Sequence, residues 1–222
     1  MNLFKNRFIA HRGLHKSIII PENSIQAFKN AMGKNYAIEF DINITIDKQI
    51  VIFHDDDLNR LCNKKERIEE VTYDFLKDLK LYKSDEKIPL LKELLVEISG
   101  KILLVIEIKK HKNIGILENK LVDLLENYKG KYLICSFEKD ILFWFKKNKP
   151  NLKRGLIFES NPKKFEKYNK TLFLYKYYKS RADFISLDYK LLDSSIYDFC
   201  VKNSLDLITW TIRNRKSRCC YF

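Results

Sequence analysis

A chain of 222 residues, 45% apolar and 13% aromatic, is too rich in core-forming side chains for a disordered segment and fits one α/β domain spanning residues 1–222. Its net charge of +13 allows an anionic partner, but Lys146, Lys147, Lys163, Lys164 and Lys176 read as parts of a diffuse excess along the whole chain, and no nucleic-acid partner is expected. No apolar stretch reaches the roughly 18 residues of a membrane span, Met1 to Arg7 is too short and polar for a secretory leader, and five scattered cysteines lack metal spacing. A cytoplasmic protein without stable membrane insertion is therefore expected.

The first predicted element is an apolar strand from Arg7 to Arg12 that ends in His11, Arg12 and Gly13. Pro21-Glu22-Asn23-Ser24 then opens a helix, with Asn23 as the expected cap, Gln26 three residues on, and Ile25, Phe28 and Met32 at helical spacing. Next comes Ile38-Glu39-Phe40-Asp41-Ile42, a short apolar run read as a strand. Strand side chains alternate faces, so Glu39 and Asp41 share one face and the apolar residues the other. A solvated polar face would explain that pattern as well as a buried one would. If the face is buried, two carboxylates side by side need a cation or fixed donors to offset their desolvation.

Residues 43–49 are too few for a crossover helix, so the apolar run from Ile50 to Asp55 is expected to return in a hairpin and bring His54 near Glu39 and Asp41. Residues 56–100 form a long excursion with helices expected at 73–81 and 90–98. The strand at 102–110 places Glu107 and Lys109 on one face. Alternation is regular thereafter, with helix at 114–128, strand at 132–137, helix at 138–147 and strand at 154–158. Helices at 162–168 and 171–180, a strand at 184–189, a helix at 193–203 and a strand at 205–212 complete it. Strands alternating with helices argue for a parallel sheet, and this many units argue for a barrel. In such sheets sites assemble where strands end, and four strand ends here carry acids, His, Arg or Lys.

These residues resemble the glycerophosphodiester phosphodiesterases. The matching segments are H-R-G at 11–13, P-E-N-S at 21–24, E-F-D at 39–41, H-D-D-D-L-N-R at 54–60, I-P-L-L-K-E-L at 88–94, E-I-K at 107–109, S-F at 136–137 and W-T-I-R-N at 210–214. The resemblance implies a (β/α)8 TIM barrel of the phospholipase C-like type, with 56–100 as a family-type insertion at the mouth of the site. It implies hydrolysis of a glycerophosphodiester to sn-glycerol 3-phosphate and an alcohol, with His11 and His54 as acid/base pair. One Ca2+ or Mg2+ would be held by Glu39, Asp41 and Glu107. Arg12 and Lys109 would meet the phosphate, Trp210 would wall the glycerol pocket, although plain core packing suits an aromatic at a strand end equally, and Glu22 would brace the strand ends, although a first-turn acid at a helix start suits Glu22 nearly as well. His15 and His111 are expected at the surface.

One departure concerns the end of the chain. After Asn214 only R-K-S-R-C-C-Y-F remains, and the family's last β/α unit is expected to be missing, through truncation or frameshift or in a natural short variant completed by a partner subunit. Two other readings stay open: a phosphoinositide phospholipase or sphingomyelinase D-like relative, and a non-catalytic remnant that binds ligand without turnover. The leaving alcohol, the native metal and the oligomeric state are also open.

Overall fold

The computed structural model describes residues 8–212, which divide into two compact units, 8–133 and 134–212. In the first, β1 (Ile9–His11) is followed by α1 (Ile25–Met32), whose cap is Ser24. The Ser24 hydroxyl accepts from Ala27 N and donates to Pro21 O. The expected cap Asn23 is instead a left-handed residue (φ 58°) whose amide leaves the helix for the site below. Gly13 makes the turn out of β1: its φ is +79°, and a Cβ there would meet the α1 backbone at Ala27 at 2.9 Å.

The central strand of this unit is β2 (Ala37–Ile44), parallel to β1. The hairpin expected after it is present as β3 (Ile50–Ile52), antiparallel to β2, with Ile42 opposite Ile52. Phe53 N continues the ladder to Asp41 O. The excursion then forms α2 (Asn59–Cys62), a 3-10 turn at Ile68–Glu70, α3 (Tyr73–Leu76) and α4 (Leu91–Ile98). The helix expected over 73–81 stops after one turn, and Leu76 and Leu81 instead turn into a small core with Phe53, Leu58, Leu61 and Ile68. β4 (Leu104–Ile108) lies parallel on the other side of β2, with Asp41 opposite Glu107, and α5 (Ile116–Glu126) follows. The outward face of β2 is apolar: Phe40 meets Phe28 of α1 edge-on at 5.8 Å between ring centres.

The chain passes into the second unit within β5 (Tyr132–Ser136). There β6 (Arg154–Phe158), β7 (Phe184–Asp188) and β8 (Asp206–Trp210) continue in parallel order beside β5. They are separated by α6 (Lys139–Asn148), α7 (Asn169–Ser180) after a 3-10 segment at Lys163–Tyr168, and α8 (Ser195–Lys202). Leu142, Leu156, Phe173, Ile185, Leu187 and Ile196 fill the core. Arg154 is almost fully buried, and its guanidinium donates to the carbonyls of Pro150, Leu152 and Arg181 while pairing with Asp183. A buried guanidinium is tolerated because its donors are met.

Among the described residues there are seven parallel strands and the antiparallel β3. The expected missing last unit, and the tail after Asn214 that suggested it, lie outside the described residues. Gly155 of β6 leaves room for a ring: a Cβ there would stand 2.2 Å from Phe184. Gly155→Ala is expected to cost about 1–3 kcal/mol by overpacking, read as a lower thermal midpoint, with Gly155→Ala/Phe184→Leu recovering part of the loss.

Candidate active site

Parallel pairing keeps registered side chains on one face, so the register of β1, β2 and β4 assembles the centre. His11 stands opposite Glu39, and Asp41 opposite Glu107. Glu39, Asp41 and Glu107 each offer a carboxylate oxygen within 4.8 Å of the others. Asp41 and Glu107 are buried, and Glu39 is partly so. The acidic face is therefore not a solvated one. Burial and mutual repulsion push the Glu39 and Glu107 carboxyls above the usual carboxylate range: Asp41 and Glu107 act on Glu39, and Asp41 acts on Glu107. Asp41 Oδ1 is a buried acceptor without a hydrogen-bond partner.

Fixed donors surround the acids. Arg12, in the left-handed region at φ 56°, donates its backbone N–H to Glu39 Oε2 at 2.9 Å and its guanidinium to Glu22 Oε1 at 2.7 Å, while its Nε lies 3.4 Å from Asp41 Oδ2. Lys109 Nζ is 2.7 Å from Glu107 and 3.6 Å from Asp41. Burial alone would make both cations weaker, but the neighbouring carboxylates outweigh it and raise their pKa values. Asn23 Nδ2 donates to Asp41 Oδ2 at 2.9 Å, which is why the residue turns away from the helix. His11 sits among these groups, and its pKa is lowered to about 4 by burial and by Arg12.

A second layer runs from Glu22 to His54. Arg60 grips the Glu22 carboxylate with both terminal nitrogens, at 3.0 and 2.7 Å, and holds Asp55 through Nε at 2.7 Å and a terminal nitrogen at 3.0 Å. Asp55 in turn lies 2.6 Å from His54 Nδ1. Burial would raise the Glu22 pKa, but Arg60 and Arg12 bring it down to about 2. Asp55 is likewise held low by His54 and Arg60 against its partial burial. An ionised carboxylate only accepts, so Asp55 fixes the proton of His54 on Nδ1 and turns Nε2 outward from the pair.

The expected residues of the first unit thus meet, and Trp210 belongs to the second unit. Trp210 ends β8 in the second unit, where it meets Phe137 edge-on at 5.9 Å, and its expected role rests on the motif alone. His15 is exposed as expected. His111 is not: its side chain is buried, with Nε2 3.1 Å from Glu118 and Nδ1 against the Lys109 carbonyl, because the β4–α5 turn folds it under the helix start. Four residues escape the sequence reading, namely Asn23, Asn43, Asp55 and Arg60. Asn43 donates to the carbonyls of Phe53 and Asp55 and thereby sets the path on which His54 lies. The spacing of Asp55 and Arg60 behind His54 was the available signal for that pair.

Five carboxyl groups (Glu22, Glu39, Asp41, Asp55, Glu107) meet three permanent cations (Arg12, Arg60, Lys109), so the acids outnumber the cations. Acids in excess of cations at barrel-type strand ends are a setting that could accept a metal ion. The pattern of the Glycerophosphoryl diester phosphodiesterase family matches residues 11–218, and the chain belongs to this family. It is 31% identical to the glycerophosphodiester phosphodiesterase of Caldanaerobacter subterraneus subsp. tengcongensis, an alignment covering 96% of this chain and 88% of the relative. Among solved structures, an Oleispira antarctica phosphodiesterase in complex with the product sn-glycerol-3-phosphate superposes with a TM-score of 0.82 at 22% identity, covering 95% of this chain and 86% of that one. A glycerophosphodiester phosphodiesterase of Thermotoga maritima gives 0.75 at 22%, covering 96% and 88%. The fold class is the α/β barrel of these neighbours.

The acid cluster makes a prediction of definite sign. A carboxyl whose folded pKa is raised favours folding below its unfolded value near 4.5, and that contribution is lost as pH rises through the folded value. In chelator at neutral pH, Glu39→Gln is expected to melt higher than the unsubstituted protein, by roughly 1–2 kcal/mol of stability. The gap should close as pH falls toward 4.5, and calcium should stabilise the unsubstituted protein but not the variant; thermal melts across pH check both.

Proposed function

We propose that this protein hydrolyses glycerophosphodiesters to sn-glycerol 3-phosphate and a free alcohol, using a divalent cation, calcium or magnesium, held by Glu39, Asp41 and Glu107. The carboxylate triad, largely buried and with its oxygens within 4.8 Å of one another, carries the reading. Three hard oxygen donors, with no thiolate in the cluster among the described residues, suit such an ion. When bound it would polarise a phosphate oxygen and offset the charge that develops in the transition state.

The chain's own residues supply the rest. Arg12 and Lys109 sit against the same acids, so an arriving phosphate meets two fixed cations whose positions are already set. His11, kept neutral by its surroundings, accepts the proton of the attacking hydroxyl, which is water or a neighbouring glycerol oxygen. His54, with its Nδ1–H held by Asp55, carries a second proton on Nε2 at this step, gives it to the leaving alkoxide oxygen and regains it from solvent after product release. Arg60 and Glu22 keep Asp55 from swinging away. The chain acts as one catalytic domain in lipid and glycerol metabolism, in a reducing cytoplasm that suits the thiols of Cys62 and Cys200.

Turnover of a panel of glycerophosphodiesters with calcium, magnesium or chelator tests the reading. Activity should depend on the cation, and His54→Ala or Glu39→Ala should reduce kcat by about a thousandfold or more without unfolding the chain. Full turnover in excess chelator would reject the cation, and near-normal turnover by either variant would remove that residue from the site. Preference for intact phospholipid over water-soluble head groups would favour the phospholipase-like reading. Arg60→Ala should lower kcat about 10- to 100-fold with little change in KM, and Arg60→Lys should restore only part because it cannot reproduce the two-sided grip.

A further inference from the structure

The charge expected to be diffuse is concentrated. Residues 139–181 contain thirteen Lys and Arg against three acids, which is ten of the chain's net thirteen positive charges in one fifth of its length. These residues are α6, β6, the 3-10 segment and α7, all within the second unit. The same stretch exposes large aromatic side chains: Phe143, Phe165, Tyr168, Tyr175 and Tyr178 are each about half accessible, between 48% and 56%.

The two helices present these groups as adjoining stripes. On α6, Lys139, Phe143, Lys146 and Lys147 follow the i, i+4, i+7, i+8 spacing of one face, and on α7 Thr171, Tyr175, Tyr178 and Lys179 do the same. Lys139 Nζ stands over the Tyr175 ring at 5.6 Å at one end. Toward the other end, Lys146, Tyr178, Tyr177 and Arg181 line a cleft of about 520 Å³. Ahead of α7, every residue from Pro162 to Tyr168 is exposed, and Phe165 and Tyr168 project among Lys163, Lys164 and Lys167.

We propose that this face docks the protein on an anionic lipid bilayer. Lysines provide the attraction to acidic headgroups, and interspersed aromatic rings suit the headgroup level, where one edge is apolar and the other wet. The helix surfaces are outward-facing and carry the rings at their crests, a shape that fits the plane of a bilayer better than the groove that single-stranded nucleic acid follows. Among the described residues no helix is long and apolar enough to cross a membrane, so the contact is peripheral. Docking needs neither the carboxylate centre nor its cation, and it stands or falls apart from the proposed activity.

The test uses the full chain and vesicles of phosphatidylcholine, alone or with phosphatidylglycerol at about two to one. Sedimentation should show binding to the mixed vesicles only, weakening as salt rises. Lys146→Glu/Lys147→Glu/Lys179→Glu should weaken it by about a hundredfold or more, while Lys34→Glu/Lys92→Glu/Lys101→Glu, three exposed lysines of the other unit, should change it by no more than about threefold. Phe143→Ser/Tyr175→Ser should weaken binding but keep its salt dependence, with thermal melting and turnover of a soluble glycerophosphodiester unchanged in all three variants. Equal binding to both vesicle types would overturn the proposal. So would equal losses in the two lysine variants, which would leave only net charge, or displacement from vesicles by an oligonucleotide at equal phosphate, which would assign the face to nucleic acid.

Discussion

The arrangement hangs on the pairing register of three short parallel strands. With β1 and β4 flanking β2, His11 falls beside Glu39 and Asp41 beside Glu107, and no turn or loop is needed to bring them together. A shift of one residue in either pairing would send the acids to the apolar side. That slip is blocked by the alternate residues: Ile38, Phe40 and Ile42 are fully buried, and Phe40 is locked against Phe28 of α1. The hydrophobic face thus pays for the electrostatic one, holding like charges at a separation they would not choose.

Around that centre the ion pairs divide by what they hold. Arg12 and Lys109 contact the acids directly, whereas Arg60 bonds Glu22, Asp55 and Tyr82 and reaches the chemistry through His54. Buried ion pairs are weak sources of stability because desolvation consumes much of their attraction. Their value here is geometric: a guanidinium bonded on two sides leaves its carboxylates one orientation each.

Much of this was legible in the residues. Period-two alternation placed Glu39 with Asp41, and Glu107 with Lys109; the short span before Ile50 foretold the antiparallel return. Where reading failed, side chains competed for the same backbone. Asn23 and Ser24 are both good caps, and only the position of Asp41 decides that Ser24 caps while Asn23 bonds the acid. His111 looked solvated because nothing local announces that Glu118, seven residues on, folds back to cover it. The helix over 73–81 was lost to a small tertiary core that rewards a turn at Leu81 more than further helix. The charge block on α6 and α7 was countable, yet a count by residue type hides what a count by helix face exposes.

The antiparallel β3 has one more consequence. Because it is pinned to β2 on one side and closes over its own apolar cluster of Phe53, Leu58, Leu61 and Ile68, the excursion that follows is a module with private foundations. Turns of the excursion beyond Arg60 can lengthen or shorten while the backbone at His54 stays set upstream by Asn43 and the β2 ladder, and its ring by Asp55 and Arg60.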